Sequence, residues 1–305
     1  MKHYIYIATL LFVIASLVGL AAPNEKLFDY GNHFRPQLVA GGLVLLFIAA
    51  VMQARLAPTI IVLALLLNGG LMGLRILQSM PERSFADDKS VIPLTLLSSN
   101  VLIANPSAAR FLATVDATDP DIIIVVELGQ SWAKQLEALH ARYPNHTVLP
   151  RQDSFGMALY AKWPFKTTLH EVGDYKLPLL QADFPQFTVL AIHPVSPVGY
   201  TDLKQLDIYL ATAGNIARAS TKPVIVAGDY NTTLWAAALQ PIIDSGLTRI
   251  GRPFNYTWPK PMPPLAIQID HVFAKGGITG TLQVLPPIGS DHFPILARLK
   301  VPGSN

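Results

Sequence analysis

Cysteine is absent from the 305 residues, which excludes disulfide bonds and thiolate metal sites. This absence is compatible with an oxidising compartment but does not require one. Charged residues are also scarce, at 14% against 51% hydrophobic residues. Because that balance is too apolar for one soluble domain of ordinary composition, we expect a membrane part and a soluble part.

A strong positive charge is also lacking in the soluble part. The net charge of the chain is +3, yet from Thr95 onward 16 Lys and Arg face 15 Asp and Glu. The surplus of positive charge therefore lies mainly near the amino terminus. The soluble part lacks the basic footprint that is typical of polyanion-binding domains, although the count leaves room for a local basic patch.

Three apolar runs occupy the first eighty residues, at 5–22, 38–52 and 58–74. Each is near the lower length limit for crossing a bilayer. We predict three transmembrane helices within a membrane region at 1–80, a polar linker at 81–91 and a soluble domain at 92–305. The alternatives are a secretory signal in the first run and a buried helical hairpin in a soluble core.

Basic residues at the ends of these runs bear on the orientation. One side carries Lys2 and Arg55, and the other carries Lys26, Arg35, Arg75, Arg83 and Lys89. The positive-inside rule favours the cytoplasm for the second side and the soluble domain. The signal-like first run favours the opposite orientation. We expect a multi-pass membrane protein with a small charge preference for a cytoplasmic soluble domain.

The soluble part is organised around an apolar, β-branched run that ends in acid and amide, at 224–231. The pattern predicts a buried strand that presents Asp229 and Asn231 at its carboxyl end. A plain strand-to-turn corner is the alternative, because Asp and Asn favour turns.

Other predicted strands also end in or carry polar residues. These are Asn100, Glu127, His193 and Asp270, and Asp291-His292 comes just before the last strand. Because strand ends can converge on one rim of a layered sheet domain, we expect these residues to share one site.

The residue types indicate a metal. Glu127, with one or both of Asp229 and Asp291, forms an oxygen-rich set suited to Mg²⁺ or Mn²⁺. A zinc site is less favoured, because cysteine is absent and the candidate histidines are few.

The remaining polar residues suit proton transfer and anion binding. Asp270 can hydrogen-bond to one nitrogen of His292 and fix its tautomer. The other nitrogen then serves as a general base or, when protonated, as a stabiliser. Asn100 and Asn231 can hold an oxyanion or position water. Together with a hard cation, these groups predict hydrolysis of a phosphoester.

The motifs, in this order, resemble the endonuclease/exonuclease/phosphatase superfamily. That superfamily includes deoxyribonucleases, abasic-site endonucleases, neutral sphingomyelinases and inositol-polyphosphate phosphatases. The matching segments cover most of 94–300 and are 99–101, 121–127, 156–160, 193–194, 228–231, 269–270 and 290–294. The resemblance implies an α/β fold, a deoxyribonuclease-like four-layer α/β sandwich, which here follows the three transmembrane helices.

The resemblance also implies roles at the metal. Glu127 would be the main ligand, helped by Asn100, with Asp291 beside the ion. Asp229 would contact the attacking water or the metal. Many members carry a second Asn or Asp two residues after the first, where this chain has Leu102. That departure weighs against a two-metal arrangement.

The remaining implied roles concern substrate and proton transfer. Asp270 and His292 would form a catalytic dyad. His193 would contact the scissile phosphate or the leaving group, and Asn231 would bind the phosphate.

The first hypothesis is thus a membrane-anchored, Mg²⁺- or Mn²⁺-dependent phosphoester hydrolase of nuclease-like phosphodiesterase type. A phospholipid or phosphoinositide phosphodiesterase or phosphatase is the second hypothesis, and a non-catalytic scaffold with the same fold is the third. The expected partners are a nucleic acid or a phospholipid head group and the lipid bilayer, with no obligate protein partner.

Overall fold

A computed structural model describes residues 2–22, 26–81, 91–260 and 262–303. Its helices are α1 (Lys2–Val18), α2 (Tyr30–His33), α3 (Arg35–Val51), α4 (Ala57–Gln78), α5 (Ala109–Thr118), α6 (Gln130–Leu136), α7 (Tyr200–Ala219) and α8 (Gln240–Asp244). Its strands are β1 (Val91–Asn100), β2 (Ile122–Val126), β3 (Asn145–Leu149), β4 (Met157–Ala161), β5 (Lys166–Val172), β6 (Leu177–Asp183), β7 (Thr188–Ile192), β8 (Val224–Asp229), β9 (Thr248–Arg249), β10 (Asp270–Lys275), β11 (Thr279–Val284) and β12 (Ile295–Pro302). The predicted linker at 81–91 lies outside the described residues except at its two ends.

The apolar runs near the amino terminus form helices that pack on one another through small and large apolar side chains, including Phe12, Ala49 and Ile61. Lys2–Ala21 and Ala57–Gln78 are each long and apolar enough to cross a membrane. A third span results if Leu27–His33 and Arg35–Val51, which meet at 65°, are counted as one.

The outer faces of these helices remain apolar. Leu11, Phe47 and Leu63 are 60%, 70% and 62% exposed. A contiguous exposed apolar surface of this kind is typical of a membrane or partner contact rather than of a free soluble surface. The helices therefore fit association with a membrane.

The soluble part is built from two six-stranded sheets that pack face to face. The strand orders are β11-β12-β1-β2-β4-β3 and β5-β6-β7-β8-β10-β9. Alternate side chains of both sheets fill the core between them, as Ile124 and Leu159 do from the first sheet and Ile225 and Val272 from the second. This interdigitation holds the two sheets in a fixed relation.

Helices cover the outer faces of both sheets. Phe111 of α5 and Trp132 of α6 pack on the first sheet, and Leu210 of α7 and Ile242 of α8 pack on the second. The layers therefore run helix, sheet, sheet, helix, which confirms the predicted four-layer α/β sandwich.

The topology brings one end of several strands to the same rim. The pairs β1–β2 and β7–β8 are parallel, so each pair ends on one edge. Strand β10 is antiparallel to β8, and Asp270 stands directly opposite Asp229. Strand β12 runs antiparallel to β1, with Ile295 opposite Ser98. The residues before β10 and β12 therefore lie beside the ends of β8 and β1.

Three sequence patterns predict elements whose bounds differ in the structure. The apolar run at 267–273, which carries an acid in its middle, predicts a strand, but the strand begins only at Asp270 because Ile267 forms an isolated bridge with Trp258. The helical spacing of 130–142 predicts one helix, but that helix ends at Leu136 and a short 3₁₀ turn follows. The run at 236–243 also predicts one helix, but it forms a 3₁₀ turn and then α8, which begins one residue before Pro241, a favourable position for proline in a first turn.

Candidate active site

The side chains of His292 and Asp270 form a buried hydrogen-bonded pair. The Nδ1–Oδ2 distance is 2.8 Å. The hydroxyl of Ser290 accepts the His292 amide at 3.0 Å, and the Thr257 hydroxyl accepts the Asp270 amide at 3.2 Å. The backbones of His292 and Asp270 are thus held in place, and Nε2 of His292, which is not bonded to Asp270, faces Asp229.

Negative charge around His292 decides its protonation. Burial alone lowers the pKa of the imidazole, but the charges of Asp270 and Asp229 and the hydrogen bond to Asp270 outweigh burial and raise the pKa to about 10. The ring is therefore a cation at neutral pH.

Asp229 lies at the centre of the site. Its Oδ2 atom accepts a hydrogen bond from Asn100 Nδ2 at 3.0 Å and lies 3.6 Å and 3.7 Å from the Nε2 atoms of His292 and His193. Its Oδ1 atom accepts the amide of Asn231 at 2.8 Å. Burial raises the pKa of this carboxyl group.

Asn100 connects Asp229 to Glu127. Its Nδ2 atom donates to Glu127 Oε1 at 2.9 Å, while its Oδ1 atom accepts the Leu102 amide at 3.0 Å. The second oxygen of Glu127 accepts the Ile103 amide at 3.2 Å. The side-chain amide of Asn100 thus lies between the carboxylates of Glu127 and Asp229. A cation bound at this point would be stabilised by both negative charges.

The backbone at this rim is strained. Leu102, Glu127 and Asn231 have φ angles of 59°, 59° and 50°, in the left-handed region that most residues avoid. Gly228 has a φ of 149°, and a Cβ there would lie 2.0 Å from the Ile192 carbonyl oxygen. Such outliers cluster at functional sites because surrounding structure must hold them in place.

The remaining predicted residues surround this centre. His193 is 3% exposed, and burial lowers its pKa. Asn231 Nδ2 donates to the Pro194 carbonyl at 2.9 Å. Asp291 Oδ2 accepts the indole N–H of Trp258 at 2.9 Å. All eight predicted site residues therefore contact one another directly or line the cavity that opens onto this centre.

The donor atoms fit a hard divalent cation. Glu127 and Asp229 direct oxygens at the same point, and oxygen ligands are those that Mg²⁺ and Mn²⁺ prefer. Asn100 Oδ1 faces away from that point, so a half-turn of the amide must precede its use as a ligand. Ligand atoms of Asp229, Asp270 and His292 also lie within 4.8 Å of one another. In that second set, however, Nδ1 of His292 is already bonded to Asp270.

A cavity of about 780 Å³ opens onto these residues. Its outer wall is largely apolar, formed by Phe34, Phe155, Val195, Val198, Trp258 and Ile267. None of the described residues that line it is lysine or arginine. The site therefore combines an acidic floor with an apolar mouth.

The contribution of the amino-terminal helical region to this cavity was not predicted from the sequence. Tyr30, His33 and Phe34 lie between α1 and α3 and line one side of it. The only signal in the sequence is a short aromatic segment between two apolar runs. That segment could not be connected to the site without the tertiary contacts.

The profile of the Endonuclease/Exonuclease/phosphatase family matches residues 97–292. Among curated protein sequences, none matches this chain significantly. Among solved structures, humanized TDP2 of D. rerio is similar at 17% identity and a TM-score of 0.56, covering 68% of this chain and 98% of that one. Sphingomyelinase C from Streptomyces griseocarneus is similar at 16% identity and a TM-score of 0.50, covering 68% and 99%. At these identities the two structures show a shared fold.

The family match covers well over half of the chain and includes the residues from Asn100 to His292 that meet at the rim. The fold and the oxygen-rich site agree with it. The chain belongs to the endonuclease/exonuclease/phosphatase family and is a metal-dependent phosphoester hydrolase.

Proposed function

We propose that this hydrolase is a membrane-anchored phosphodiesterase that cleaves phospholipids. The observation that carries the proposal is the cavity above Asp229 and His292. Its mouth is apolar, and one of its sides comes from Tyr30, His33 and Phe34 in the membrane region. A substrate with an apolar body and one phosphate fits such a cavity better than a polyanion does.

Charge is the main argument against the nuclease-like hypothesis. Proteins that hold a nucleic acid backbone neutralise several phosphates with lysine and arginine. The described lining of the cavity supplies neither. It does hold two further acids, Asp202 and Asp153, the second of which is paired with Arg151. Successive phosphates of a nucleic acid would therefore find no lysine or arginine among these lining residues.

The apolar surface at the mouth of the cavity favours the binding of a lipid. Each Å² of apolar surface removed from water contributes about 25 cal/mol. Val198 is 73% exposed and Phe34 is 38% exposed at the cavity mouth. The glycerol backbone and first methylenes of a phospholipid would cover such side chains.

The membrane segment is held firmly against the catalytic part. The Tyr30 hydroxyl accepts the Gly199 amide at 3.1 Å, and Gln37 Nε2 donates to the Ala266 carbonyl at 2.9 Å. In our proposal the anchor covers 1–80, the catalytic domain covers 92–305, and the cavity opens at the bilayer surface. The positive-inside preference of Arg35 and Arg75 favours a cytoplasmic catalytic domain.

In this proposal Glu127, Asp291 and, after a half-turn of its amide, Asn100 hold Mg²⁺ or Mn²⁺. The bound ion would polarise a phosphoryl oxygen. The remaining residues act on water and on the developing charge. Asp229 orients the attacking water and takes its proton, which its raised pKa favours.

His292, kept charged by Asp270, stabilises the negative charge that develops on the phosphoryl oxygens. His193 and Asn231 both line the active-site cavity, and Nε2 of His193 and the side chain of Asn231 would contact the phosphate. The phosphorus gains the water oxygen and loses its bond to the leaving oxygen. The leaving alkoxide takes a proton from solvent and becomes the alcohol, and Asp229 later releases to solvent the proton that it accepted.

Similar folds are found with both substrate classes. One structure is of D. rerio TDP2 complexed with a single-strand DNA product, and another is of a sphingomyelinase C. The fold alone therefore does not identify the substrate. The described lining of the cavity is largely apolar and includes no lysine or arginine, which supports a lipid substrate.

The test is a hydrolysis screen of the purified full chain with Mg²⁺ in detergent micelles. The substrates are phosphatidylcholine, phosphatidylglycerol, sphingomyelin, phosphoinositides, plasmid DNA, single-stranded DNA and an abasic duplex. We expect a phospholipid to be cleaved fastest. Cleavage of DNA faster than of every lipid would overturn the proposed substrate, while leaving the hydrolase activity intact.

A pair of variants tests the role of the apolar mouth. Val198→Asp places a charge at the mouth and should lower lipid turnover about tenfold, because it removes burial of one aliphatic side chain. Leu169→Asp makes the same kind of change at a residue that is 45% exposed on β5, outside this cavity. It should leave lipid turnover near the wild-type value. Equal loss in both variants would contradict the role of the mouth.

A further inference from the structure

One loop of the catalytic domain exposes several large apolar side chains. This stretch, the aromatic loop, lies at 252–260 and 262–267, shortly before β10. Phe254, Tyr256, Met262 and Leu265 are 44%, 41%, 48% and 50% exposed. The other large apolar side chains that are exposed in the described part of this domain lie apart from one another in the sequence, at Val91, Trp163, Leu169, Tyr175 and Val198. Exposed apolar side chains are thus concentrated in the aromatic loop, which is typical of a contact surface.

One end of the aromatic loop contacts the start of α3. Gln37, in the first turn of that helix, donates from Nε2 to the Ala266 carbonyl at 2.9 Å. The short segment that leads into α3 also has an apolar surface, because Leu27 and Phe28 are 47% and 42% exposed. Leu265, which precedes Ala266, therefore lies close to the beginning of a helix whose outer face is apolar.

The other end of the aromatic loop lies near the carboxyl ends of α1 and α4. The ring of Phe254 packs on the ring of Trp235, and their centroids are 5.6 Å apart. Trp235 in turn lines a cavity of about 240 Å³ together with Leu20, just after α1, and Leu74, near the end of α4. Both ends of the loop are therefore connected to helix ends on the side of the catalytic domain.

These helix ends mark the level at which a bilayer around the helices would end. Aromatic side chains are enriched at this level of membrane proteins, where hydrocarbon meets water. Tyr256 suits that boundary, since its ring is apolar and its hydroxyl can stay hydrated. The sequence 252–267 contains no acidic residue, so no carboxylate of the loop would lose its hydration there.

We propose that the aromatic loop inserts its exposed apolar side chains into the head-group region of the bilayer that surrounds the helices. The partner is a lipid surface, and this second contact depends on the membrane anchoring of the function proposed above. Trp258 and Ile267 of the same loop line the active-site cavity. Insertion of the loop therefore holds one wall of that cavity at the surface from which a lipid substrate would enter.

The absence of cysteine allows one nitroxide label to be attached at a chosen position of the full chain. Leu265→Cys and, separately, Tyr256→Cys place the label on the aromatic loop of chains reconstituted in phosphatidylcholine vesicles. Electron paramagnetic resonance compares collisions of the label with oxygen, which concentrates in hydrocarbon, and with a nickel chelate, which stays in water. Both labels should lie about 5 Å below the head-group level, a depth typical of interfacial segments.

Two further labelled chains provide the controls. Leu169→Cys places the label at a residue of β5 that is 45% exposed, and there the nickel chelate should have the access that it has in water. Phe47→Cys places the label on α3 at a residue that is 70% exposed, and it should report hydrocarbon. The Phe47→Cys label therefore tests the anchoring independently of the loop.

Loop labels at the interfacial depth, with the Leu169→Cys label in water, would support the proposal. If the Phe47→Cys label is in hydrocarbon but the loop labels are as accessible to the nickel chelate as the Leu169→Cys label, the loop contact is overturned and the anchoring stands. A Phe47→Cys label in water would overturn both. Loop labels shielded from both reagents would show that a protein covers the loop, which would also overturn the lipid contact.

Discussion

The molecule contains two polar clusters of different composition. At the active-site rim, Glu127, Asp229 and Asp270 gather around a few imidazole and amide groups. At the junction between the amino-terminal apolar helices and the sheet domain, Arg35 and Arg75 donate to amide and carbonyl oxygens. The active-site cluster has an excess of carboxylates and is therefore suited to a cation. In the junction cluster the carboxylates of Asp29 and Asp244 oppose the two arginines, so its charge is balanced.

The two clusters also differ in how they are held. The active-site residues follow strands of two sheets whose shared core fixes their positions. The junction residues stand at helix ends and depend on a single carboxylate, that of Asp29, which is 1% exposed and accepts two backbone amides. Damage to the first cluster should therefore affect chemistry, and damage to the second should affect stability.

The largest effect is expected from His292→Ala. Loss of the imidazolium should lower kcat for Mg²⁺-dependent hydrolysis by about 10³- to 10⁴-fold. His170→Ala is the control, because this partly buried histidine of β5 hydrogen-bonds to Gln181 and does not line the active-site cavity. A kcat of His292→Ala within about threefold of the wild-type value would be far too small an effect for a catalytic residue. That result would show that His292 has no catalytic role.

Asp270→Asn comes next and acts through His292. The charge of Asp270 raises the pKa of His292, so its removal lowers that pKa. The imidazolium is lost as the pH rises through its pKa, and the alkaline limb of the kcat profile should therefore move to lower pH. We also expect kcat to fall about a hundredfold at the optimum. Asp183→Asn, remote in β6, should keep the wild-type profile, and an unmoved alkaline limb in Asp270→Asn would count against the dyad.

Asp29→Asn should have the smallest effect on chemistry. The amide retains one acceptor oxygen for the amides of Ala237 and Ala238, and the free energy of unfolding should fall by about 1–3 kcal/mol. Thermal unfolding of the full chain in micelles measures the change. Asp116→Asn removes an exposed carboxylate paired with Arg142 and should shift Tm far less. Equal shifts would show that Asp29 does not hold the junction.

The active-site cluster was predicted from the sequence better than its surroundings were. Glu127 and Asp229 each follow an apolar, β-branched run, and Asn100 closes a strand that begins with the mostly apolar segment 94–97. These are local signals that the sequence shows directly. The parallel pairs β1–β2 and β7–β8 then bring these ends together. The individual roles of these residues stay predictions, but their proximity follows from strand patterns and topology.

The junction and the apolar mouth could not be predicted in the same way. Asp29 bonds to backbone amides more than two hundred positions later in the sequence. Phe34 lines a cavity whose floor is formed by residues that follow position 100 in the sequence. No periodicity or motif reports such contacts. Strands β3, β5, β6, β9 and β11 were not predicted either. Polar or mixed segments such as β3, β5 and β9 become strands only through pairing with their neighbours.

The most direct test of the central claim is Mn²⁺ binding to the full chain, followed by electron paramagnetic resonance and calorimetry. The acidic cluster should bind Mn²⁺, and Glu127→Gln should weaken the affinity at least tenfold, about 1.4 kcal/mol, while Glu171→Gln on β5 should not. Mn²⁺ binding that is absent in the wild type, or unchanged in Glu127→Gln, would contradict the claim that these strand ends form the metal site of the hydrolase.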